Sequence, residues 1–147
     1  YDMDIELEHL KIYLHINSFG GSVFAAISTI DTITSSKIPI VSIVEGGAAS
    51  AATLISCVCS ERYIRNNSYM LIHQVSSGFW GTMEEIKDEF RNLKKLMKFI
   101  KKLYRKNTNL NNSEDSDIKL NDILKRDIWW NASECIKYGL VDGIKEN

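Results

Sequence analysis

A single proline, Pro39, stands in a chain of 147 residues, which excludes proline-rich linkers, and only eight glycines exclude a collagen-like repeat. The three cysteines (Cys57, Cys59, Cys135) are an odd number with no signal peptide in view, so free thiols in a reducing compartment are expected rather than a disulfide framework. Cys57-x-Cys59 lacks a second matched pair, and His9 and His15 are too isolated to complete a zinc set, so no metal is expected. The longest apolar stretch, Ala48–Val58, contains serines and a threonine and falls well short of the ~20 residues that span a bilayer. Charge of one sign is missing too. Eighteen Lys plus Arg against nineteen Asp plus Glu leave a net charge of −1, so no overall field draws the chain to nucleic acid or to an anionic membrane.

What remains is 44% hydrophobic and 25% charged, the composition of one soluble globular domain over residues 1–147. At this length roughly 70% of the unfolded surface can be buried, enough for a core without metal or disulfide staples. The chain opens on Tyr1 rather than Met, so a fragment or processed form is expected.

Tyr1–His9 alternates acids with hydrophobic residues, a pattern open to either an edge strand or a helix end. Ile12–Ile16 is a β-rich run that stops at Asn17-Ser-Phe-Gly-Gly21, where two glycines can take positive φ. Helical spacing of Ala26, Ile27, Ile30 and Ile33 predicts a helix over Val23–Ile33, which Pro39 keeps from running on. Pro39–Val44 reads as a buried strand, Gly46-Gly47 as a tight turn, and Ala49–Cys59 as a small-residue helix. Short strands are expected at Tyr63–Ile64 and Met70–Ile72. Strand, helix, strand, helix, strand is the pattern of right-handed βαβ crossovers, so the fold class is α/β with a largely parallel sheet.

Thr82-Met-Glu-Glu85 is a capping-box sequence. Behind it an apolar stripe runs through Met83, Ile86, Phe90, Leu93, Leu96 or Met97, Ile100, Leu103 and Tyr104. The acids of this helix come first and its bases last, as the helix macrodipole favours. Those bases, with no interleaved aromatic platform, read as a solvated face rather than a nucleic-acid patch. At about 1.5 Å per residue the helix is longer than the core of such a domain needs, so part of its stripe is expected to meet another subunit. Asn107–Asp117 reads as a polar surface loop, Leu120–Leu124 as a short helix, Ile128–Trp130 as strand-like, and Asn131–Glu134 as the cap of a last helix ending at Gly139.

Amide hydrolysis needs a nucleophile, a base, a group that orients the base, and donors for the oxyanion. Ser50 follows a strand and opens a helix, His73 ends a strand, and Asp127 ends a short helix. Local spacing leaves open both a Ser-His-Asp triad and a structural role for each side chain.

Five blocks in order change that weighting: Asn17-Ser-Phe-Gly-Gly-Ser22, Gly46-Gly-Ala-Ala-Ser-Ala-Ala52, Tyr69-Met-Leu-Ile-His-Gln74, Gly78-Phe-Trp-Gly81 and Tyr138-Gly-Leu-Val-Asp142. Over Lys11–Ile144 the chain resembles the proteolytic subunit of the Clp protease, a serine peptidase family on a crotonase-like α/β fold with a protruding handle helix. The resemblance implies Ser50 as nucleophile, His73 as general base and Asp127 as its orienting carboxylate. It also implies an oxyanion hole from the Gly21 and Ala51 amides, and substrate contacts at Val23, Phe24 and Gln74, with the Gln74–Phe79 edge pairing to an extended peptide. It further implies two stacked heptameric rings forming a tetradecamer, with Gly78–Tyr104 as the handle, and a partner AAA+ Clp ATPase that unfolds and feeds polypeptide substrates. ATP is then used by that partner, and this chain needs no cofactor; neither nucleic acid nor membrane is an expected partner.

The sequence departs from the family pattern in several places. Phe19 and Val75 stand where the family usually has proline, which frees both turns. The Ser50–His73 stretch is about two residues short, Leu110–Ile118 carries an insertion, and the segment before Lys11, with the axial pore and most of the unfoldase-docking surface, is missing or unrecognisable. Two other readings compete: a ClpP-like ring scaffold without activity, and a crotonase-type acyl-CoA enzyme. Asn, Lys and Ile supply 43 residues, a bias that points to AT-rich coding and to a bacterial-type cytoplasm or an organelle stroma or matrix, a plastid-like organelle such as the apicoplast among them.

Overall fold

The computed structural model describes residues 10–110 and 120–146. The Tyr1–His9 pattern, most of the Asn107–Asp117 loop and nearly all of the 110–118 insertion lie outside the described residues. Ile12–Ser18 forms β1, and Val23–Ser35 forms α1, whose first turn is capped by Ser22 Oγ accepting from the Ala25 amide. β2 (Ile40–Ala49) starts directly after Pro39 and leads into α2 (Ala51–Cys57). Two short strands follow, β3 (Glu61–Ile64) and β4 (Tyr69–Leu71).

β2 is the centre of the sheet. It pairs with β1 on one side; on the other it pairs first with β3 (Val41–Val44 against Glu61–Ile64) and then with β4 (Gly47–Ala49 against Tyr69–Leu71). All these pairings are parallel, as the crossover pattern predicts, and Val41, Ser42, Ile43 and Val44 are buried on both faces. The expected tight turn at Gly46-Gly47 is not one. The strand runs through it as a bulge: Ile16 pairs with Val44 but Ser18 with Ala48, so two β1 residues span four of β2. Gly46 takes φ +74° there, and its amide, removed from the ladder, donates to Ser68 Oγ at 2.8 Å. A glycine pair permits a bulge as readily as a turn, and pairing with β4 selects the bulge.

α3 (Met83–Asn107) is the helix announced by the capping box, with Thr82 and Glu85 making both reciprocal bonds. Only Ile100 and Tyr104 in its second half are buried; Met83, Ile86 and Phe90 are more than half or half exposed, so its first half stands clear of the core. α4 (Leu120–Leu124) and α5 (Ala132–Lys137) close the chain, α5 again with a capping box from Asn131 and Glu134. The Ile128–Trp130 run is not a strand; Trp130 alone makes an antiparallel bridge to Met70. A two-residue strand, β5 (Gly143–Ile144), pairs in parallel with β3 and was not foreseen. Among the described residues, no helix is long and apolar enough to cross a membrane.

Candidate active site

The β2–α2 junction is an elbow. Ser50 sits at φ 57°, ψ −125°, the only described non-glycine residue with positive φ. Such a conformation persists only where its surroundings over-determine it. Here the Ser50 amide donates to Leu71 O at 2.9 Å, and Thr53 grips the Ser50 carbonyl through its amide (3.0 Å) and its hydroxyl (2.6 Å). Gly20, at φ +93°, presses against the elbow. A Cβ on Gly20 would lie 2.8 Å from Ala49 O and 2.9 Å from Ser50 Cβ, so only glycine fits. A Cβ on Gly21 would instead meet nothing within 4 Å, which leaves open space beside its backbone.

His73 lies two residues beyond β4. Asp127, expected at the end of a helix, lies three residues past α4, on a segment fastened to the β4 region at both ends. Gln74 N donates to Leu124 O at 2.7 Å, and Met70 and Trp130 exchange two backbone bonds of 2.9 and 2.8 Å. The five residues between Leu124 and Trp130 therefore arch past His73 with Asp127 at their midpoint. This is how a carboxylate distant in sequence arrives beside the imidazole. His73 Nδ1 and Asp127 Oδ1 are 3.8 Å apart, beyond hydrogen-bond length, and the Asp127 side chain is 83% exposed. Among the described residues no hydrogen bond joins Ser50 Oγ to His73.

Ser50, His73, Gly21, Ala51, Val23 and Gln74 line one small cavity of about 70 Å³, together with Val75, Leu54 and Tyr104 among others. Of the site residues expected from the sequence, Asp127 stands behind His73 rather than on this lining, and Phe24 is 71% exposed on α1, outside it. Among the described residues, the Gly21 and Ala51 amides donate to no protein acceptor, so both remain available to an incoming anion.

The two positions where proline was expected have found substitutes. Phe19 packs edge-on against Trp129 over Gly47, with ring centroids 5.9 Å apart, and so braces the Asn17–Gly21 turn by contact. Val75 has the amide that proline lacks, and it donates to Met97 Sδ at 3.2 Å. The residues 72–82, with the Gly78–Gly81 block, lie outside any strand, so among the described residues the edge expected there pairs with no strand.

Sequence reasoning missed Thr53 and Tyr104. Thr53 Oγ1 and the Tyr104 hydroxyl, both fully buried, are 2.6 Å apart. The signal was present: a tyrosine on a buried stripe needs a partner for its hydroxyl. The cysteines do not compete as nucleophiles, since burial pushes the Cys57 and Cys135 thiols up to about 12 and Cys59 upward as well. Among the described residues no group of three or more His, Cys, Asp or Glu side chains is placed to hold a metal ion.

The profile of the Clp protease family matches residues 3–147. The chain is 37% identical over 148 residues to the ATP-dependent Clp protease proteolytic subunit of Streptococcus mutans, covering 99% of this chain and 74% of that one. It is 36% identical over 141 residues to the ATP-dependent Clp protease proteolytic subunit 2 of Treponema denticola, covering 92% and 66%. With the corresponding subunit of Lactococcus lactis it shares 35% over 147 residues, covering 99% and 72%. The chain thus spans about two thirds to three quarters of the length of these relatives. A family profile matched over residues 3–147, with relatives 35–37% identical over 92–99% of this chain, means that the chain belongs to the Clp protease family.

Proposed function

We propose that this chain is the peptide-cleaving subunit of a Clp-type protease, a serine endopeptidase acting on unfolded polypeptide. The observation that carries the reading is the cavity where Ser50, on its strained elbow, meets His73 and the free amides of Gly21 and Ala51. His73 takes the Ser50 hydroxyl proton as Ser50 Oγ attacks the scissile carbonyl. The Gly21 and Ala51 amides receive the oxyanion, and His73 then protonates the leaving amine. Water releases the acyl group by the same steps in reverse roles. Asp127 fixes the imidazole tautomer and stabilises its cation; from 3.8 Å it needs to move about 1 Å to hydrogen-bond. Val23, Phe24 and Gln74 flank the substrate main chain, and strand addition along Gln74–Phe79 makes cleavage tolerant of sequence.

The relatives are named as proteolytic subunits of an ATP-dependent Clp protease. In this reading a AAA+ Clp ATPase unfolds substrates and consumes the ATP, while the peptidase uses no cofactor of its own. The chain works as a homo-oligomer of two stacked heptameric rings, through the exposed half of α3, with no nucleic-acid or membrane partner. Its compartment is a bacterial-type cytoplasm or the stroma of a plastid-like organelle.

A fluorophosphonate probe tests the chemistry. Wild type is expected to label at Ser50 and to cleave a fluorogenic peptide, and Ser50→Ala and His73→Ala are expected to do neither. No labelling in an assembled ring favours the inactive scaffold, and acyl-CoA turnover without peptide cleavage favours the crotonase-type enzyme.

A further inference from the structure

The Ser50 carbonyl and the Ala51 amide are two ends of one peptide unit. In a trans peptide the C=O and N–H point in opposite directions and cannot turn independently, and no described peptide bond is cis. Whatever holds the Ser50 oxygen therefore aims the Ala51 N–H. The Ser50 oxygen is held by Thr53, from its amide at 3.0 Å and its hydroxyl at 2.6 Å. Thr53 Oγ1 in turn lies 2.6 Å from the hydroxyl of Tyr104.

The direction of this chain of bonds is fixed by counting protons. Thr53 has one hydroxyl hydrogen, and the only way to join two oxygens at 2.6 Å, when one is a carbonyl, is for Thr53 to donate to Ser50 O. The Tyr104 O–H must then donate to Thr53 Oγ1. Tyr104 is buried, and burial pushes its pKa upward, so the phenol stays a neutral donor. Successive bonds of this kind polarise one another by roughly 10–30% each. Polarising the Ser50 carbonyl draws electron density from its own amide nitrogen, which makes the Ala51 N–H a better donor.

We infer that Thr53 and Tyr104 are positioning residues of the oxyanion hole, acting on the Ala51 N–H through the peptide unit it shares with the Ser50 carbonyl. The inference rests on the peptidase reading above. It ties the far end of α3 to the catalytic elbow across 51 residues of sequence. Both side chains are almost wholly buried, Thr53 at 0% and Tyr104 at 1% exposure, and the action assigned to them runs through the backbone.

The test uses the full chain and three variants. Tyr104→Phe keeps the ring and deletes the hydroxyl; Thr53→Val keeps the shape and deletes the hydroxyl; Thr53→Ser keeps the hydroxyl. Losing an oxyanion donor outright costs roughly 10²–10³ in kcat, so weakening one is expected to cost about tenfold. Tyr104→Phe and Thr53→Val should each lower kcat for a fluorogenic peptide by about that factor with KM within twofold. Affinity for a peptide boronate, whose tetrahedral adduct occupies the oxyanion hole, should fall by a similar factor. Thr53→Ser should keep most of the activity, and the Thr53→Val/Tyr104→Phe double variant should be no worse than Thr53→Val alone, because the two act in series. Full kcat and full boronate affinity in both hydroxyl deletions overturn the inference, as does an effect confined to KM or to Tm. Wild type that neither cleaves peptide nor labels at Ser50 overturns the peptidase reading itself, an outcome distinct from an active enzyme indifferent to the two hydroxyls.

Discussion

Ser50 gives up stability for position. Its φ of 57° belongs to a region that costs a residue with a Cβ about 1–3 kcal/mol. Glycine occupies that region freely, at a cost of roughly 0.5–1 kcal/mol in lost unfolded-state freedom. Ser50→Ala and Ser50→Gly both delete the nucleophile, but only the second removes the strain. Ser50→Gly is therefore expected to be more stable than Ser50→Ala by about 1 kcal/mol, which is about 3 °C in Tm for a chain of this size. Calorimetry of the two variants decides it; equal melting would mean that the strain is no larger than glycine's own cost of roughly 0.5–1 kcal/mol, and a more stable Ser50→Ala that it is smaller still. Gly20 shows the same economy from the other side, since only the lack of a side chain there lets the Asn17–Gly21 turn come so close to the serine.

At the scale of elements, what the sequence makes legible is what repeats or caps. α3 was readable because its apolar stripe recurs over about six turns and Thr82 and Glu85 mark its start, and α5 because Asn131 and Glu134 do the same. β2 was readable only as far as Val44, because the signal of its second half is a glycine pair that also marks turns. β5 has two residues and so no period at all. It is set instead by a contact between segments distant in sequence: Asp142 receives the Arg62 backbone amide at 2.8 Å and the Arg62 guanidinium at 2.6 Å. The same guanidinium bonds the carbonyls of Asn107, at the end of α3, and Gly139, past the end of α5. The candidate site divides in the same way. Ser50, His73 and the glycines lie in short blocks that can be read, whereas the Thr53–Tyr104 link and the arch carrying Asp127 exist only once the chain has folded. Arg62→Ala removes a largely buried charge that joins three segments, and bonds to charged groups carry roughly 1.5–3 kcal/mol each. A loss of about 3 kcal/mol in urea unfolding is expected, with faster hydrogen exchange at the last turn of α3 and at β5. A loss below about 1 kcal/mol would show that β5 and α3 are held by packing alone.

For the whole molecule, the half of α3 that stands clear of the core is the feature that a single chain does not explain. Met83, Ile86 and Phe90 are exposed on one stripe, and Phe79 and Trp80 precede it, Trp80 at 99% exposure. Contiguous apolar surface of this kind marks an interaction site in a protein that is otherwise well packed. The proposed ring pairing would bury it, and each Phe covered contributes roughly 1.5–3 kcal/mol. The catalytic groups bear on the same question, because His73 and Asp127 stop 3.8 Å apart with the carboxylate facing solvent, and residues 72–82 lead from His73 directly into the handle. Ordering that segment against a second copy is a direct route by which assembly can draw the imidazole and the carboxylate together. Phe90→Glu places a charge in the middle of the stripe, at a residue that is not on the lining of the Ser50 cavity although it shares a neighbouring cavity with Gln74 and Val75, and leaves the fold of the monomer untouched because position 90 is outside the core. The variant is expected to sediment as smaller species than wild type and to lose most of its peptide cleavage, while its far-ultraviolet circular dichroism and Tm as a monomer stay unchanged. Wild type, diluted until it sediments at the same size, should lose activity to the same extent. A Phe90→Glu protein that cleaves at full rate as a monomer would separate catalysis from assembly, and the 3.8 Å gap would then have to close within one chain.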